Sequence, residues 1–206
     1  MNREEQFVIT ISRQFGTGGH EIGAELARRL GVKLLDKQIL NEMARKYHIV
    51  EEAVERIEFR NPLWRDDFTD FYRSYMAATE YNGQERDKTS QKLFDAQAEV
   101  IRRIAAQESC IIIGRCGFHI FRDHPNALKI FVHADDSCRK KRIGRKYDIP
   151  ESDAAAMIVD NDYSRELYTK TYTGSDWQNA TNYDISLNVR QFGVNGAVDF
   201  LMNVIG

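Results

Sequence analysis

The residues best suited to do chemistry lie near the N-terminus, in the segment Ser12-Arg13-Gln14-Phe15-Gly16-Thr17-Gly18-Gly19-His20-Glu21. An apolar run from Phe7 to Ile11 precedes this segment, and a helical pattern follows it. Glycines in such a turn let backbone N–H groups converge on an anion, and the positive end of the helix dipole adds attraction. The order predicts an anion-binding loop, with a tight glycine turn as the alternative. The candidate phosphate-binding residues are Ser12, Gly16, Thr17, Gly18, Gly19, His20 and Glu21.

The segment departs from the nucleotide-binding pattern G-x-x-x-x-G-K-[ST] at its reactive positions. Arg13 replaces the first glycine, Gly19 replaces the lysine, and His20 replaces the hydroxyl residue. Arg13 or His20 could supply the missing positive charge, and Arg13 could equally be a structural ion-pair residue. The scaffold therefore predicts nucleotide binding, while the catalytic chemistry stays open.

A second candidate is Arg115, in the run Ile112-Ile113-Gly114-Arg115-Cys116-Gly117. An arginine just beyond a buried strand can hold a phosphate or a base edge with its planar fork of donors. The alternative is pairing with a structural carboxylate. We interpret Cys116 as a small apolar filler, since no histidine–carboxylate pair can be assigned to activate it.

A third candidate is the basic run from Cys138 to Lys146, in which Arg139, Arg142 and either Arg145 or Lys146 share one helical face. Such a run is often a solvated face or a nucleic-acid patch. Its position after the fourth apolar strand favours a mobile lid, at about residues 138–168, whose arginines close over transferring phosphates. Phosphoryl transfer needs such groups because its catalysis consists mainly of positioning and charge neutralisation.

Other polar residues follow strands or cluster with aromatic ones. Asp36 ends the second strand, where it could orient an acceptor or a magnesium-bound water, or cap the next helix. Asp162, Arg165 and Tyr168 belong, with the stretch from Tyr172 to Trp177, to a polar-aromatic cluster that composition alone does not explain. For Tyr172 and Trp177 the alternative interpretation is a core aromatic pair with a surface turn.

The elements that must position these residues alternate between strands and helices. Helical patterns, not hairpin turns, separate the strands, which predicts an α/β fold with parallel strands joined by crossover helices. The predicted strands are Phe7 to Ile11, Val32 to Leu35, Cys110 to Ile113, Leu128 to His133, and Tyr183 to Leu187.

Spacing and capping residues place the helices. We expect Gly31 to end the first helix, Asp135 or Asp136 to cap the helix through the basic run, and Ser152 to cap the next one. Residues 41–90 are aromatic and charged and contain no strand pattern. We interpret them as a helical inset over one edge of the sheet, where an acceptor would bind, or as helices that only cover the core.

Composition limits the function classes. The chain of 206 residues, with 42% hydrophobic and 29% charged residues, fits one domain over residues 1–206. A net charge of −2 disfavours general nucleic-acid binding, and no apolar run is long enough to span a membrane. Cys110, Cys116 and Cys138 lack C-x-x-C spacing, so no disulfide frame or zinc site is predicted. We expect a cytoplasmic protein.

Taken together, these motifs resemble the cytidylate kinase-like family, a branch of the P-loop nucleoside monophosphate kinases. The resemblance runs through Ile11 to Gly23, Leu35-Asp36-Lys37, Ile113 to Cys116, the arginine run, Asp162 to Tyr172, Thr173 to Trp177, and Asn182 to Asp184. It implies a three-layer P-loop kinase fold with a five-stranded parallel sheet, a helical monophosphate-binding inset and an arginine-rich lid. It also implies phosphate transfer from ATP, with Mg²⁺, to a nucleoside monophosphate, CMP or dCMP.

The resemblance suggests roles for individual residues. Arg115 matches the acceptor-binding arginine of cytidylate kinases, and Asp36 matches an acid that ends their second strand. With Asp162 they form the candidate substrate-binding set, and the candidate catalytic residues are Arg13, Arg139, Arg142 and Arg165. Cytidylate kinases have lysine where this chain has Gly19 and threonine where it has Glu21, so no P-loop hydroxyl is expected to bind the metal.

These departures leave three hypotheses. The first is a nucleoside monophosphate kinase in which Arg13 and the lid arginines compensate for the lysine. The second, motivated by Gly19 and Glu21, is a nucleotide-binding sensor or regulatory protein with little or no catalysis. The third, motivated by the aromatic stretch from Trp64 to Tyr81, is a kinase for another small phosphate acceptor. Nucleotides are the expected partners, nucleic acid ranks last, and oligomeric state is not predicted.

Overall fold

A computed structural model of the chain describes residues 1–36 and 83–206. Within these ranges five parallel strands form one sheet in the order β2-β3-β1-β4-β5. The strands are β1 (Val8–Arg13), β2 (Lys33–Leu35), β3 (Cys110–Ile113), β4 (Ala127–His133) and β5 (Ile185–Asn188). The predicted five-stranded parallel sheet is therefore confirmed.

Helices flank the sheet on both faces. They are α1 (Gly19–Leu30), α2 (Gly83–Ala105), α3 (Gly117–Ile120), α4 (Asp136–Tyr147), α5 (Glu151–Thr173) and α6 (Gly193–Ile205). A short 3₁₀ turn, Ala180–Asn182, precedes β5. None of the helices in the described ranges is long and apolar enough to cross a bilayer. Most of the predicted inset of residues 41–90, namely residues 41–82, lies outside the described residues.

The capping predictions have different outcomes. Gly31 ends α1 in a left-handed conformation at φ 68°, and the Asp135 carboxylate accepts a hydrogen bond of 2.7 Å from the Cys138 amide. The prediction for Ser152 is wrong, because α5 begins at Glu151 and Pro150 occupies the N-cap. Ser152 thus lies inside the first turn, where its hydroxyl donates to the Asp153 carboxylate at 3.1 Å.

The alternation of side chains along β1 gives each face of the sheet its own core. Ile9 and Ile11 pack with residues of α1 and α6, among them Ile22, Leu26 and Leu201. On the other face, residues of α2 such as Ile101 and Ile104 pack with Val8 and Ile112. A separate aromatic cluster contains Phe94, Cys116, Phe118, Phe131, Tyr168, Trp177 and Tyr183. The result is a three-layer arrangement with helices on both faces of the sheet. Arg13 follows Ile9 and Ile11 at every second position of β1, so its side chain lies on the α1 face.

Helix α1 approaches the sheet closely through its glycines. A Cβ at Gly23 would overlap Ile113 Cδ1 and would lie 3.3 Å from Ile11 Cδ1. Glycine at this position lets the start of α1 lie against β1 and β3, which brings the preceding loop over the carboxyl ends of those strands.

We predict that Gly23→Ala destabilises the fold by about 1 to 3 kcal/mol, because the added methyl group has no space beside Ile113. The matched control is Ala156→Gly, an exposed site in α5, which measures the intrinsic preference of helices for alanine at about 1 kcal/mol. Urea unfolding of both variants tests the contact. Stabilisation by Gly23→Ala would show that α1 does not need this close approach.

Candidate active site

The glycine loop lies where β1 ends and α1 begins, at the carboxyl edge of the sheet, where open α/β sheets bind ligands. Gly16 and Gly18 have φ values of 82° and 81°, in the left-handed region that favours glycine. The Thr17 hydroxyl donates to the Gln14 carbonyl at 2.8 Å and so closes the turn from within. The Thr17 hydroxyl therefore stabilises the loop itself.

Neighbouring helices pack directly on the loop glycines. A Cβ at Gly16 would lie 2.9 Å from Ile143 Cγ1, on α4, and one at Gly18 would lie 2.8 Å from Val194 Cγ2, on α6. The same position at Gly18 is 2.9 Å from Arg142 Nη2. These contacts place the arginine-bearing helix α4 directly over the loop.

A cavity of about 230 Å³ lies between the loop and α4. Arg13, Arg142, Lys146 and Arg165 contribute cationic groups to its wall, and Glu21 contributes a carboxylate. The remaining lining residues are Gln14, Phe15, Gly16, Gly18, Gly19, His20, Ile143 and Tyr147. The excess of positive charge and the backbone amides of a helix N-terminus suit a polyanion such as a nucleotide phosphate chain.

Arg142 and Glu21 form an ion pair at this wall, with Arg142 Nη2 donating to Glu21 Oε1 at 2.9 Å. Partial burial acts to raise the pKa of Glu21, but a backbone hydrogen bond and the Arg142 guanidinium outweigh it, so the pKa lies below its usual value. Glu21 is therefore charged at neutral pH and holds Arg142 close to Gly18.

A buried ion cluster lies beneath the loop and fixes its backbone. The Asp162 carboxylate accepts a hydrogen bond of 2.7 Å from the Phe15 amide and pairs with the guanidinium groups of Arg139 and Arg165. Arg139 Nη1 also donates to the Phe15 carbonyl, and Arg165 Nη1 to the Arg13 carbonyl, each at 3.3 Å. We call Asp162, Arg139 and Arg165 the loop clamp.

The clamp changes the interpretation of its members. Arg139 is only 5% exposed and its polar contacts are Asp162, Asp136 and the loop backbone, so it lies below the cavity and not in its wall. Arg165 reaches the wall and lies 5.5 Å from the Phe15 ring. A direct contact between Asp162 or Arg139 and a substrate stays a prediction, while their contacts with the loop are observed.

Ser12 and Asp36 lie beside the cavity. Ser12 is buried and shares a hydrogen bond with the Tyr183 hydroxyl, whose own proton is donated to the Trp177 carbonyl at 2.8 Å. Its side chain thus points into the aromatic cluster, away from the glycine loop. Asp36 Oδ2 lies 3.4 Å from His20 Nε2, which brings the end of β2 next to the loop.

Arg115 occupies a backbone turn with positive φ values at three successive residues. Gly114, Arg115 and Cys116 have φ values of 71°, 53° and 53°. A non-glycine residue in this region costs about 1 to 3 kcal/mol, and such residues cluster at functional sites. Arg115 is 8% exposed, and its Nη1 donates to Gln97 Oε1 at 3.3 Å. In the described part of the chain no carboxylate forms an ion pair with it.

Cys116 is confirmed as a small apolar filler. It is buried in the aromatic cluster, and burial raises the pKa of its thiol to about 12. The side chain is therefore a neutral thiol at physiological pH and is no nucleophile.

Sequence reasoning missed part of the cavity wall, and it missed that the clamp residues bind the backbone of the loop. Tyr147 was not singled out, although it follows the basic run directly and closes the cavity beside Lys146. The sequence had left Arg145 and Lys146 as alternatives on the Arg142 face of the helix, and it is Lys146, four residues after Arg142, that lines the cavity. The clamp joins Phe15 to Asp162 across 147 positions, and no local pattern carries that information.

With this geometry established, comparison with known proteins gives a consistent result. The model of the cytidylate kinase-like family matches residues 8–191. The chain belongs to the cytidylate kinase-like family. A cytidylate kinase from Methanosarcina acetivorans is 29% identical over 99 residues, which cover 48% of this chain and 55% of that protein. The match thus spans about half the length of the curated relative.

Solved structures agree on the fold. A protein from Eubacterium ventriosum, described as uncharacterized, is 27% identical with a TM-score of 0.72, and the match covers 98% of both chains. The shikimate kinase of Bacteroides thetaiotaomicron has a TM-score of 0.50 at 12% identity, covering 97% of this chain and 98% of its own. The shikimate kinase of Acinetobacter baumannii has a TM-score of 0.51 at 10% identity, and the match covers 98% of this chain and 94% of that one. At such identities the likeness establishes the α/β P-loop kinase fold alone.

We predict that Asp162→Asn lowers the free energy of unfolding by about 3 to 5 kcal/mol, because it removes the charge that the buried Arg139 and Arg165 share and leaves Arg139 with only the exposed carboxylate of Asp136. Urea unfolding measures the loss. The control is Asp123→Asn, whose carboxylate is 87% exposed beside Arg122 and should change stability by less than about 1 kcal/mol. Equal effects of the two substitutions would contradict the clamp.

The Glu21–Arg142 pair gives a pH dependence. The folded pKa of Glu21 is lowered, so its stabilising contribution is present above the ordinary value of 4.5 and is lost as pH falls through the folded pKa. The stability difference between the wild type and Glu21→Gln should be at most about 0.5 kcal/mol at pH 7, because solvent screens the pair, and should shrink below pH 4.5. Urea unfolding at several pH values checks this, with Glu151→Gln as control. A difference that grows on acidification would contradict it.

Proposed function

We propose that this protein transfers the γ-phosphate of ATP to a nucleoside monophosphate, CMP or dCMP. The observation that carries the proposal is the cavity over the glycine loop, whose wall combines helix N-terminal amides with Arg13, Arg142, Lys146 and Arg165. Membership of the cytidylate kinase-like family and the P-loop kinase fold support a phosphotransferase. The identity of the acceptor rests on the resemblance of the Gly114-Arg115 turn to the cytidylate-binding motif.

In the proposed reaction a phosphate oxygen of the monophosphate attacks the γ-phosphorus of ATP. The bond from that phosphorus to the bridging oxygen breaks, ADP leaves, and a nucleoside diphosphate forms. The reaction needs little proton transfer by the protein, so catalysis depends on alignment and on neutralising the charge that spreads over the phosphoryl oxygens. The loop amides would hold the donor phosphates, and Arg142 and Lys146 would cover them from α4.

The donor set at the loop fits Mg²⁺, which binds through one or two carboxylates together with substrate phosphates and water. Asp36, beside His20 at the end of β2, is the carboxylate that would hold it together with substrate phosphates, since the Glu21 carboxylate pairs with Arg142. Among residues 1–36 and 83–206 no cluster of three or more ligating side chains forms a separate metal site. When bound with ATP, Mg²⁺ would neutralise charge on the phosphate oxygens.

The acceptor side of the site would lie at Arg115. The ends of β1 and β3 are adjacent, since the Gly114 amide donates to the Ile11 carbonyl at 3.0 Å. The observed side-chain hydrogen bonds of Arg115 go to the neutral groups of Gln97 and Tyr168, so its charge can balance that of an acceptor phosphate. Residues 41–90 would complete the acceptor site, and residues 138–168 would act as the lid.

We predict that Arg142→Ala lowers kcat by about 100-fold, whereas Arg115→Ala raises the KM for the monophosphate more than that for ATP. A coupled assay with magnesium–ATP and CMP, dCMP, UMP, AMP or GMP, with products confirmed by chromatography, measures both. Arg122→Ala, an exposed arginine paired with Asp123, is the control. Unchanged kinetics in both site variants would exclude this assignment of the site.

A second function, a nucleotide-binding regulatory protein with little catalysis, is favoured by one observation. The Glu21 carboxylate occupies the wall of the phosphate cavity and already neutralises Arg142. This alternative predicts a rise in melting temperature with ATP but no product. Turnover above about 1 per second, within the usual range of enzymes, would exclude it. Turnover on a different phosphate acceptor, with no activity on the nucleotides, would favour the third hypothesis.

A further inference from the structure

The side chain of Arg13 runs along the loop toward the position of the missing lysine. Alternation along β1 places Arg13 on the α1 face, after Ile9 and Ile11. A Cβ at Gly19 would lie 2.7 Å from Arg13 Cβ and 2.8 Å from Arg13 Cγ. Real Cβ atoms do not approach other carbons this closely. Arginine at 13 and a side chain at 19 therefore compete for the same space.

The far end of Arg13 reaches the acceptor side of the site. A Cβ at Gly114 would overlap Arg13 Nη1, so the guanidinium lies against the backbone of the turn that carries Arg115. Arg13 thus extends from the first residue of α1 to the end of β3. Its aliphatic stem lies beside the donor loop, and its charge lies between that loop and the acceptor turn.

The loop clamp holds the base of this side chain. Arg165 Nη1 donates to the Arg13 carbonyl at 3.3 Å, and Asp162 binds the Phe15 amide two residues later. The clamp thus fixes the backbone from which Arg13 projects, and the contacts with Gly19 and Gly114 restrict the side chain itself. A guanidinium held in this way loses little further freedom when it binds an anion, which favours its use as a fixed phosphate ligand.

We propose that Arg13 and Gly19 are an exchanged pair, in which the phosphate-binding cation has moved from the start of the helix to the end of the strand. Arg13 contacts the transferring phosphoryl group from a position between donor and acceptor. In the standard pattern position 13 carries glycine and position 19 carries lysine. In this chain position 13 carries arginine and position 19 carries glycine. The inference rests on the proposed function only in taking nucleotide phosphates as the ligand.

The exchange predicts a specific pattern in four proteins: wild type, Arg13→Gly, Gly19→Lys and the double variant. Arg13→Gly removes the cation, and Gly19→Lys places a side chain where Arg13 already lies. Each single change should weaken binding of magnesium–ATP by about 10- to 100-fold, the effect of one charge-assisted contact. The double variant should bind within about fivefold of the wild type, because lysine now occupies space that Arg13 has left. Calorimetric titration measures all four.

Additional variants keep the test independent of folding and of turnover. Arg13→Gln retains a long side chain without the charge and should lose binding as Arg13→Gly does, and far-UV circular dichroism monitors folding. Arg28→Gln makes the same change at an exposed residue of α1 paired with Glu25 and should bind normally. Normal binding by Arg13→Gln, or a double variant no better than Arg13→Gly, would overturn the exchange.

The binding data also separate this inference from the proposed function. A wild type that binds magnesium–ATP without phosphorylating any monophosphate would contradict the proposed function, and the pattern of binding constants would still test the exchange. A wild type that phosphorylates CMP, with Arg13→Gln unchanged in both Kd and kcat, would support the function and overturn the exchange.

Discussion

The site depends on one largely buried carboxylate. Asp162 is held between Arg139 and Arg165, and the three side chains bind the backbone of Arg13 and Phe15 at the point where β1 becomes the glycine loop. Removing this charge from between two buried guanidinium groups would be strongly destabilising, so the carboxylate is needed for the arginines as well as for the loop. The loop is consequently fixed before any ligand arrives, which is the condition for electrostatic catalysis by preorganised groups.

This arrangement gives the arginines different tasks. Arg139 and Arg165 are largely buried and shape the loop, whereas Arg142 is 37% exposed and reaches the cavity from α4. Arg13 lies between the two groups, with its carbonyl in the clamp and its side chain along the loop. A sequence motif cannot separate these tasks, because any of the four arginines could be expected to bind a phosphate through its positive charge.

The fold was predictable because its signals are local and periodic. The apolar runs indicated the strands, and both predicted bounds of β3, Cys110–Ile113, agree with the structure. Gly31 marked the end of α1 because glycine adopts the left-handed conformation, and Asp135 marked the start of α4 because its carboxylate caps the helix. Strand β5 begins at Ile185 and not at Tyr183, because Tyr183 packs in the aromatic cluster and Asp184 bonds to Lys129. The loop clamp and the Tyr183 partner of Ser12 were not predictable, since both depend on residues more than a hundred positions away.

The absence of lysine from the loop is therefore compatible with phosphate binding. Four cationic side chains face the cavity against the Glu21 carboxylate, so the wall keeps a positive excess even with Arg142 paired. Gly18 and Gly19 pack tightly against Arg142 and Arg13, which brings these two charges to the loop. What distinguishes the site from a standard P-loop is the origin of the charge, which comes from β1, α4 and α5.

The most direct test of this account is a crystal structure with a non-hydrolysable magnesium–ATP analogue and CMP. The analogue's phosphates should lie in the cavity, against the amides of residues 16–20, with the guanidinium groups of Arg13 and Arg142 within hydrogen-bonding distance of their oxygens. Phosphates bound away from the loop, or an Arg13 side chain turned away from phosphates in the cavity, would contradict it.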